Sequence, residues 1–591
     1  MNVMKGFSRY VGIDLGTTNS TVSVSYKNPK GEVYAKTLQV KQYDEQGINI
    51  TFDEVLPSVV YFDEHSTPNA GRFAKKMLSI DPKQTMSKVK RHIGKEVEWE
   101  TANKEKYSPE EISAFILRTL KGTAEDHFLG QEIDSAVITV PANFNFQQQA
   151  KTKIAAELAG FDKEKIHMIP EPTAALIDFL NEERQKDPST RSLDITQKPQ
   201  TILVFDLGGG TCDVTINRVG STPDGGLDIK DLSISQYTEL GGADFDDAVM
   251  KYMFTSLLKT KGIPAKQLAQ KYTQNQVRQI RETLSDAAEQ AKKYFSRSIN
   301  TRILMGGMNL YENQHAFDDI TFSMMLLGVP EEFQTTISIS KKEYDEVIKG
   351  LLYESQGSRG KNIEYPIMNA IRSAVVPLKI EDIDQVFLVG GMTEFPTIKG
   401  RIYELFGKAP ISAVNPMQAV SRGAAIYHYY QGEIQLGKAE AERAPFGQGA
   451  RIYPQNIFIN VLKGTPVTLL PKNAPLPYDK TFDKGFFVTG HSEFVNDMEL
   501  ELFTAEDPEA ILQQQLKSAR LEFEQPVRVG TQIVIHVSVD YERNVTVKAW
   551  LKEDETQMIH VNLGVREYTA EEKARILRKQ EAMKMEEVKT W

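Results

Sequence analysis

Ile13-Asp14-Leu15-Gly16-Thr17-Thr18-Asn19-Ser20-Thr21-Val22 and Phe205-Asp206-Leu207-Gly208-Gly209-Gly210-Thr211-Cys212-Asp213-Val214 follow one pattern. In both, an apolar residue precedes Asp, Leu and Gly follow it, and Val comes eight residues after the Asp. The copies begin at residues 13 and 205, 192 positions apart. That distance is too long for a solenoid repeat and suits a duplicated half of one domain. Each copy reads as strand, Asp, Gly/Thr-rich turn, strand. Glycine lets a backbone approach a ligand closely, and exposed turn N–H groups with Thr hydroxyls are donors for phosphate oxygens. Asp14 and Asp206 would repel a polyphosphate unless a divalent cation and its waters lay between, an arrangement that suits Mg²⁺. Taken singly, each copy is also an ordinary hairpin with a Gly turn. The pair, with the same Asp offset, points to phosphate held between two facing turns.

The surrounding chain supports an α/β architecture over residues 1–430. Apolar strands are expected at Val11–Ile13, Ser135–Val140, Thr201–Phe205 and Gln385–Val389, with long helical stretches such as 271–297 between them. Leu388-Val389-Gly390-Gly391-Met392-Thr393 puts a Gly pair at a strand end with a helix expected after Pro396, a common nucleotide crevice. No GxxxxGK[ST] and no GxGxxG after a strand is present, so Walker and Rossmann chemistry are disfavoured. A charged stretch at 182–187 suggests a surface insertion. Residues 431–455 have little periodicity and read as a linker. From 456 to 566 short β-branched runs with regular turn signals predict an all-β, sandwich-like domain. Thr569 and Glu572 have capping-box spacing and open a C-terminal helix over 567–591.

Bulk properties exclude several classes. At 591 residues the chain calls for more than one domain. The net charge of −10 gives no basic stripe for nucleic acid. A single cysteine, Cys212, rules out a disulfide framework and a Cys-rich zinc site. No run reaches the roughly 20 apolar residues that span a membrane, and no apolar signal core opens the sequence, so a cytoplasmic protein is expected.

Together these segments resemble the DnaK-type, seventy-kilodalton heat-shock chaperone family. The similarity runs through Ala136–Asn145, Glu171-Pro172-Thr173-Ala174-Ala175, Leu240–Asp246, Asn415-Pro416 and Gly423-Ala424-Ala425, and it fades over 456–564. The resemblance implies an actin-like, two-lobed ATPase that binds ATP and ADP with Mg²⁺, followed by a β domain for extended polypeptide clients. It implies phosphate contacts at Gly16, Thr17, Thr18, Asn19, Gly208, Gly209, Gly210 and Thr211, and hydrated Mg²⁺ at Asp14 and Asp206. Lys90 would orient the attacking water, and Glu171 would lie near it; read bare, Lys90 is a solvated lysine and Glu171 a turn residue. Pro141 would relay nucleotide state. Gly241, Gly242, Gly390 and Gly391 would line the nucleotide, Glu289 and Lys292 would bond the ribose, and Lys293 and Ser296 would face the base. A monomer with a J-domain protein and a nucleotide exchange factor as partners is implied as well.

The chain also departs from that family. Lys293 and Glu394 stand where two arginines clamp adenine, Met392 replaces a serine, and Met417 replaces an aspartate. Lysine cannot stack as a planar guanidinium does. Weaker adenine binding with preserved hydrolysis is expected. Gln149 replaces an arginine, Glu433–Lys438 is a poor substitute for the family's acidic, leucine-rich linker, and the terminal helix is shorter than the family's lid. A lidless client site with fast exchange is expected. The competing readings are a non-hydrolysing holdase or exchange-factor relative, which retention of Lys90 and Glu171 disfavours, and a small-molecule kinase of the same superfold, which the β domain disfavours.

Overall fold

The computed structural model describes residues 9–195, 198–221, 227–235, 238–306, 309–311, 313–356, 360–413, 415–435, 451–460, 466–505, 514–515, 519–541, 543–561 and 568–583. The repeat in the sequence is a repeat in topology. In the first lobe the sheet order is Ile166–Pro170, Ala136–Val140, Tyr10–Asp14, Asn19–Lys27, Val33–Thr37. In the second it is Ile411–Ser412, Gln385–Val389, Gln200–Leu207, Cys212–Ser221, Leu227–Ile234. Both sheets pair the first three strands in parallel and the last three antiparallel. The Gly/Thr turns therefore sit at equivalent strand ends, as duplication of one unit requires.

Two helices, Glu171–Gln185 and Ala419–Gln435, lie against each other between the sheets. Their approach is close: a Cβ on Gly423 would fall 1.7 Å from the Ala174 carbonyl oxygen. Arg422 donates from Nε and Nη2 to the buried Asp178 carboxylate, a forked pair that fixes their register. Residues 182–185 of the surface insertion expected at 182–187 are the last turn of the first helix. Its Glu183 is buried because it accepts from the Ser192 and Leu193 amides, a partner set that lies outside the local sequence.

His428 ties the second helix to the first sheet. Its Nδ1 accepts from the Val11 amide and its Nε2 meets the Ser135 hydroxyl, both at 2.9 Å. Burial drives its pKa down from 6.5 to about 4. The unfolded chain therefore takes up this proton first as pH falls, and stability is lost between about 6.5 and about 4. Buried carboxylates such as Asp178, raised to about 7 by burial, act oppositely across the same window. The difference between wild type and His428→Gln isolates the ring. That difference, read from urea midpoints, is expected to swing against wild type by up to about 3 kcal/mol on acidification. A pH-independent difference would mean the ring titrates normally.

In the C-terminal part, the sheet containing Asn456–Ile459 and Val467–Leu470 and the sheet containing Ile533–Val539 and Val545–Leu551 share one apolar core. Most of the expected linker, 436–450, lies outside the described residues, as do 584–591 of the terminal helix. The helix itself runs Ala570–Ala582 with the Thr569/Glu572 capping box formed. It rests on the first lobe, where Ile576 is fully buried among that lobe's core side chains. No helix among the described residues is long and apolar enough to cross a membrane.

Candidate nucleotide site

The two turns meet. A Cβ on Gly209 would fall 1.9 Å from the Thr18 hydroxyl, and one on Gly210 would fall 2.4 Å from the Thr17 methyl. Only glycine permits this contact at 209 and 210, whereas Gly208 faces no such crowding. A third turn closes the cradle, since a Cβ on Gly241 would strike the Gly210 amide nitrogen at 2.2 Å. Gly390, at φ 83, presses against the Asp206 carboxylate from the end of the neighbouring strand. The structure thus brings together Gly16–Asn19, Gly208–Thr211, Gly241, Gly242, Gly390 and Gly391.

Beneath the turns lies a buried ionic cluster. Lys90 sits on a short 3₁₀ turn, Val89–His92, that follows Lys88 in a left-handed conformation. It is 6% exposed and ion-paired with Glu171, at the first turn of its helix. The solvated-lysine and simple-turn readings of these two residues are therefore wrong. Asp14 accepts from the Thr139 hydroxyl at 3.2 Å. Asp206 and Asp213 are cross-strand partners and both are buried. Burial, reinforced by Glu171, raises Asp14 to about 7 and Asp213 to about 8, and Asp206 also lies well above the ordinary carboxylate range. Burial alone would lower Lys90, but Glu171, Asp14 and Asp213 hold it above its usual value. Four carboxylates thus share one buried ammonium, an excess of negative charge that a divalent cation would offset. Among the described residues no three acidic, His or Cys side chains are close enough to cage a metal directly. Mg²⁺ keeps most of its waters and uses few carboxylates, so Asp14 and Asp206 fit it through water.

The base side differs from the phosphate side. Glu289 pairs with Lys293 at 2.7 Å and with Lys75 at 3.3 Å. Burial would raise it, but these lysines and Lys292 lower it to about 2. Lys292 pairs with Asp246 at 2.7 Å, and Ser296 donates to the Glu394 carbonyl at 3.4 Å. Buried Met392 lies beside Gly242, and half-exposed Met417 packs on Gly391. Two thioethers thus stand at the Gly pairs on this side of the cleft.

Sequence reading missed Asp213. The comparison of the two copies rewarded matching positions, and the equivalent of Asp213 in the first copy is Thr21. That asymmetry was the available signal: one half keeps a carboxylate facing the cleft and the other does not. Arg91 was missed too. It pairs with Asp244 at 2.7 Å while its Nε lies beside Gly210, bracing the turn.

The family model described as Hsp70 protein matches residues 10–590. The chaperone protein DnaK of Thermosipho melanesiensis is 32% identical over 540 residues, covering 91% of this chain and 77% of that relative.

Proposed function

Because the chain belongs to the Hsp70 family and is accordingly an ATP-dependent chaperone that hydrolyses ATP with Mg²⁺, we propose that Lys90, Glu171, Asp14, Asp206 and Asp213 form its hydrolytic centre. The observation that carries this reading is the convergence of buried Glu171, Asp206 and Asp213, partly buried Asp14 and buried Lys90 where two Gly/Thr turns touch. Mg²⁺, held through water by Asp14 and Asp206, would offset the phosphate charge. The turn amides with Thr17, Thr18 and Thr211 hold phosphate oxygens. Lys90 orients the attacking water and balances charge on the terminal phosphoryl group. As the water oxygen bonds to phosphorus and the bond to the bridging oxygen breaks, a water proton passes to the Asp213 carboxylate, which sits opposite Asp206. Glu171 keeps Lys90 charged and in place.

We assign nucleotide binding to residues 1–430 and polypeptide binding to 456–566. As a DnaK-like chaperone the protein acts on unfolded polypeptide together with co-chaperones. The exposed Phe487 and Phe494 give the β part aromatic surface for an extended chain. Single-turnover hydrolysis of radiolabelled Mg-ATP by the whole chain tests the assignment. Slow phosphate release is expected, and a protein that binds ATP without ever cleaving it would sink the proposed centre.

Base binding carries a separate prediction. With no guanidinium at 293 or 394, adenine loses stacking worth about 1–2 kcal/mol. Glu394→Arg is expected to tighten ADP binding by about five- to thirtyfold in calorimetry. An unchanged affinity would mean that Met392 and Met417 already supply an equivalent surface.

A further inference from the structure

We infer that Arg543, in the β domain, is the positioning residue through which that domain reads the state of the hydrolytic centre; this rests on the ATP-dependent chaperone function proposed above, with ATP hydrolysis at that centre controlling polypeptide binding by the β domain. Arg543 stands in the turn between the strands Ile533–Val539 and Val545–Leu551. Its φ is 68, a left-handed conformation that residues other than glycine rarely adopt. Its side chain nevertheless leaves the β domain and is buried at 4% exposure. Nη1 donates to the Ala142 carbonyl of the first lobe at 3.0 Å, and Nη2 meets the Asp231 carboxylate of the second at 3.3 Å. One guanidinium therefore spans both lobes. A strained backbone carrying a buried, cross-domain cation is retained for what the side chain holds.

Both attachment points lead back to the hydrolytic centre. Ala142 follows Pro141 at the end of the strand Ala136–Val140, whose Thr139 bonds Asp14. The next residue, Asn143, has its carbonyl held at 2.9 Å by Gln455, which immediately precedes the strand Asn456–Ile459. In the second lobe Asp213, Thr215 and Asn217 alternate along one strand and so share a face. Thr215 donates to Asn217, and the Asn217 amide donates to Asp231 at 2.9 Å. Asp213, Thr215 and Asn217 are all buried. Ala142, Ile234 and Ile452 make a small apolar contact among first lobe, second lobe and the segment leading into the β domain, where Ile452 bridges to Pro475. A rotation of one lobe against the other moves the Ala142 carbonyl relative to Asp231. Arg543 cannot keep both partners through such a motion, so its grip favours one lobe arrangement.

The experiment measures release of a fluorescent extended apolar peptide from the full chain, in ATP and in ADP, with melting temperature followed in parallel. Arg543→Met keeps bulk and removes the fork. It is expected to lower the ATP-to-ADP ratio of release rates about fivefold or more, the span of an ordinary coupling free energy. Asp231→Asn should move the ratio in the same direction, and the double variant should go no further than Arg543→Met alone, because the two residues act as one pair. Arg543→Lys, which keeps charge without the fork, should recover the ratio only in part, a graded response that a purely structural role would not give. A folded Arg543→Met with the wild-type ratio overturns the inference, and should that variant not fold, an unchanged ratio in Asp231→Asn does so. A wild-type ratio of one sinks nucleotide control itself and Arg543 with it; a wild-type ratio well above one that the variants leave intact sinks the role of Arg543 alone.

Discussion

Lys90→Ala is expected to slow single-turnover hydrolysis of Mg-ATP by about 10²–10³-fold while leaving ATP binding measurable, the loss seen when one preorganised charge-stabilising donor is removed. The reasoning starts from burial. Lys90 is held in one place by Glu171, with Asp14 and Asp213 near enough to act on its charge. A cation so fixed needs no reorganisation as charge develops on the phosphoryl oxygens. Removing it leaves the four carboxylates without an internal counter-ion, so the variant is expected to lean more heavily on Mg²⁺. Binding survives because Gly16–Asn19 and Gly208–Thr211 hold phosphate through backbone amides that the substitution does not touch. Glu171→Gln should cost less, since Lys90 remains, and should shift the pH profile of the rate. Rates within threefold of wild type in Lys90→Ala would make this lysine a structural counter-ion only.

The turns of this site were legible because their chemistry is local. Asp, Gly and Thr within ten residues specify strand, tight turn and donor groups without reference to the rest of the chain, and the second copy repeats the statement. The strand at Gln385–Val389 and the helix Pro396–Phe406 were legible for the same reason: an apolar run ends at Gly and a Pro opens the next element. Lys90 was a different matter. Nothing in Lys88-Val89-Lys90-Arg91 distinguishes the lysine that turns inward, because its counter-ion is 81 residues away. Asp213 was hidden by the very symmetry that revealed Asp14 and Asp206. The charged run at 182–187 suggested solvent, yet Glu183 finds two backbone amides and is buried. In each case burial of charge depends on partners that only the tertiary fold supplies. Arg543 belongs with these: in sequence it is a single arginine in a hairpin turn.

Ile576→Ala is expected to detach the terminal helix from the first lobe, and hydrogen exchange is the measurement that shows it. Ile576 is fully buried in that lobe's core, and truncating a buried isoleucine costs about 2–5 kcal/mol when the structure cannot yield. Here it can yield. The flanking contacts are Gln580 to the Ala114 and Leu158 carbonyls, Tyr568 to Ser108, and Arg575, Lys573 and Lys579 to Glu111, Glu157 and Glu105. The partly exposed ion pairs contribute little. A 13-residue helix is also marginal in water on its own, so docking and helix formation are lost together. The measured cost is therefore the smaller of the cavity term and the docking free energy. Amides of Ala570–Ala582 should exchange about tenfold to a thousandfold faster, at 1.36 kcal/mol per decade, while those of the underlying helix Pro109–His127 stay protected. Faster exchange throughout the first lobe would show instead that the helix is an integral part of the lobe's fold. Because a released helix of this length melts, client release should stay at the wild-type rate. A slower rate would mean that the helix, once freed from Ser108, Glu111 and Leu158, re-forms over the β domain, and that its place on the first lobe is what keeps the client site open.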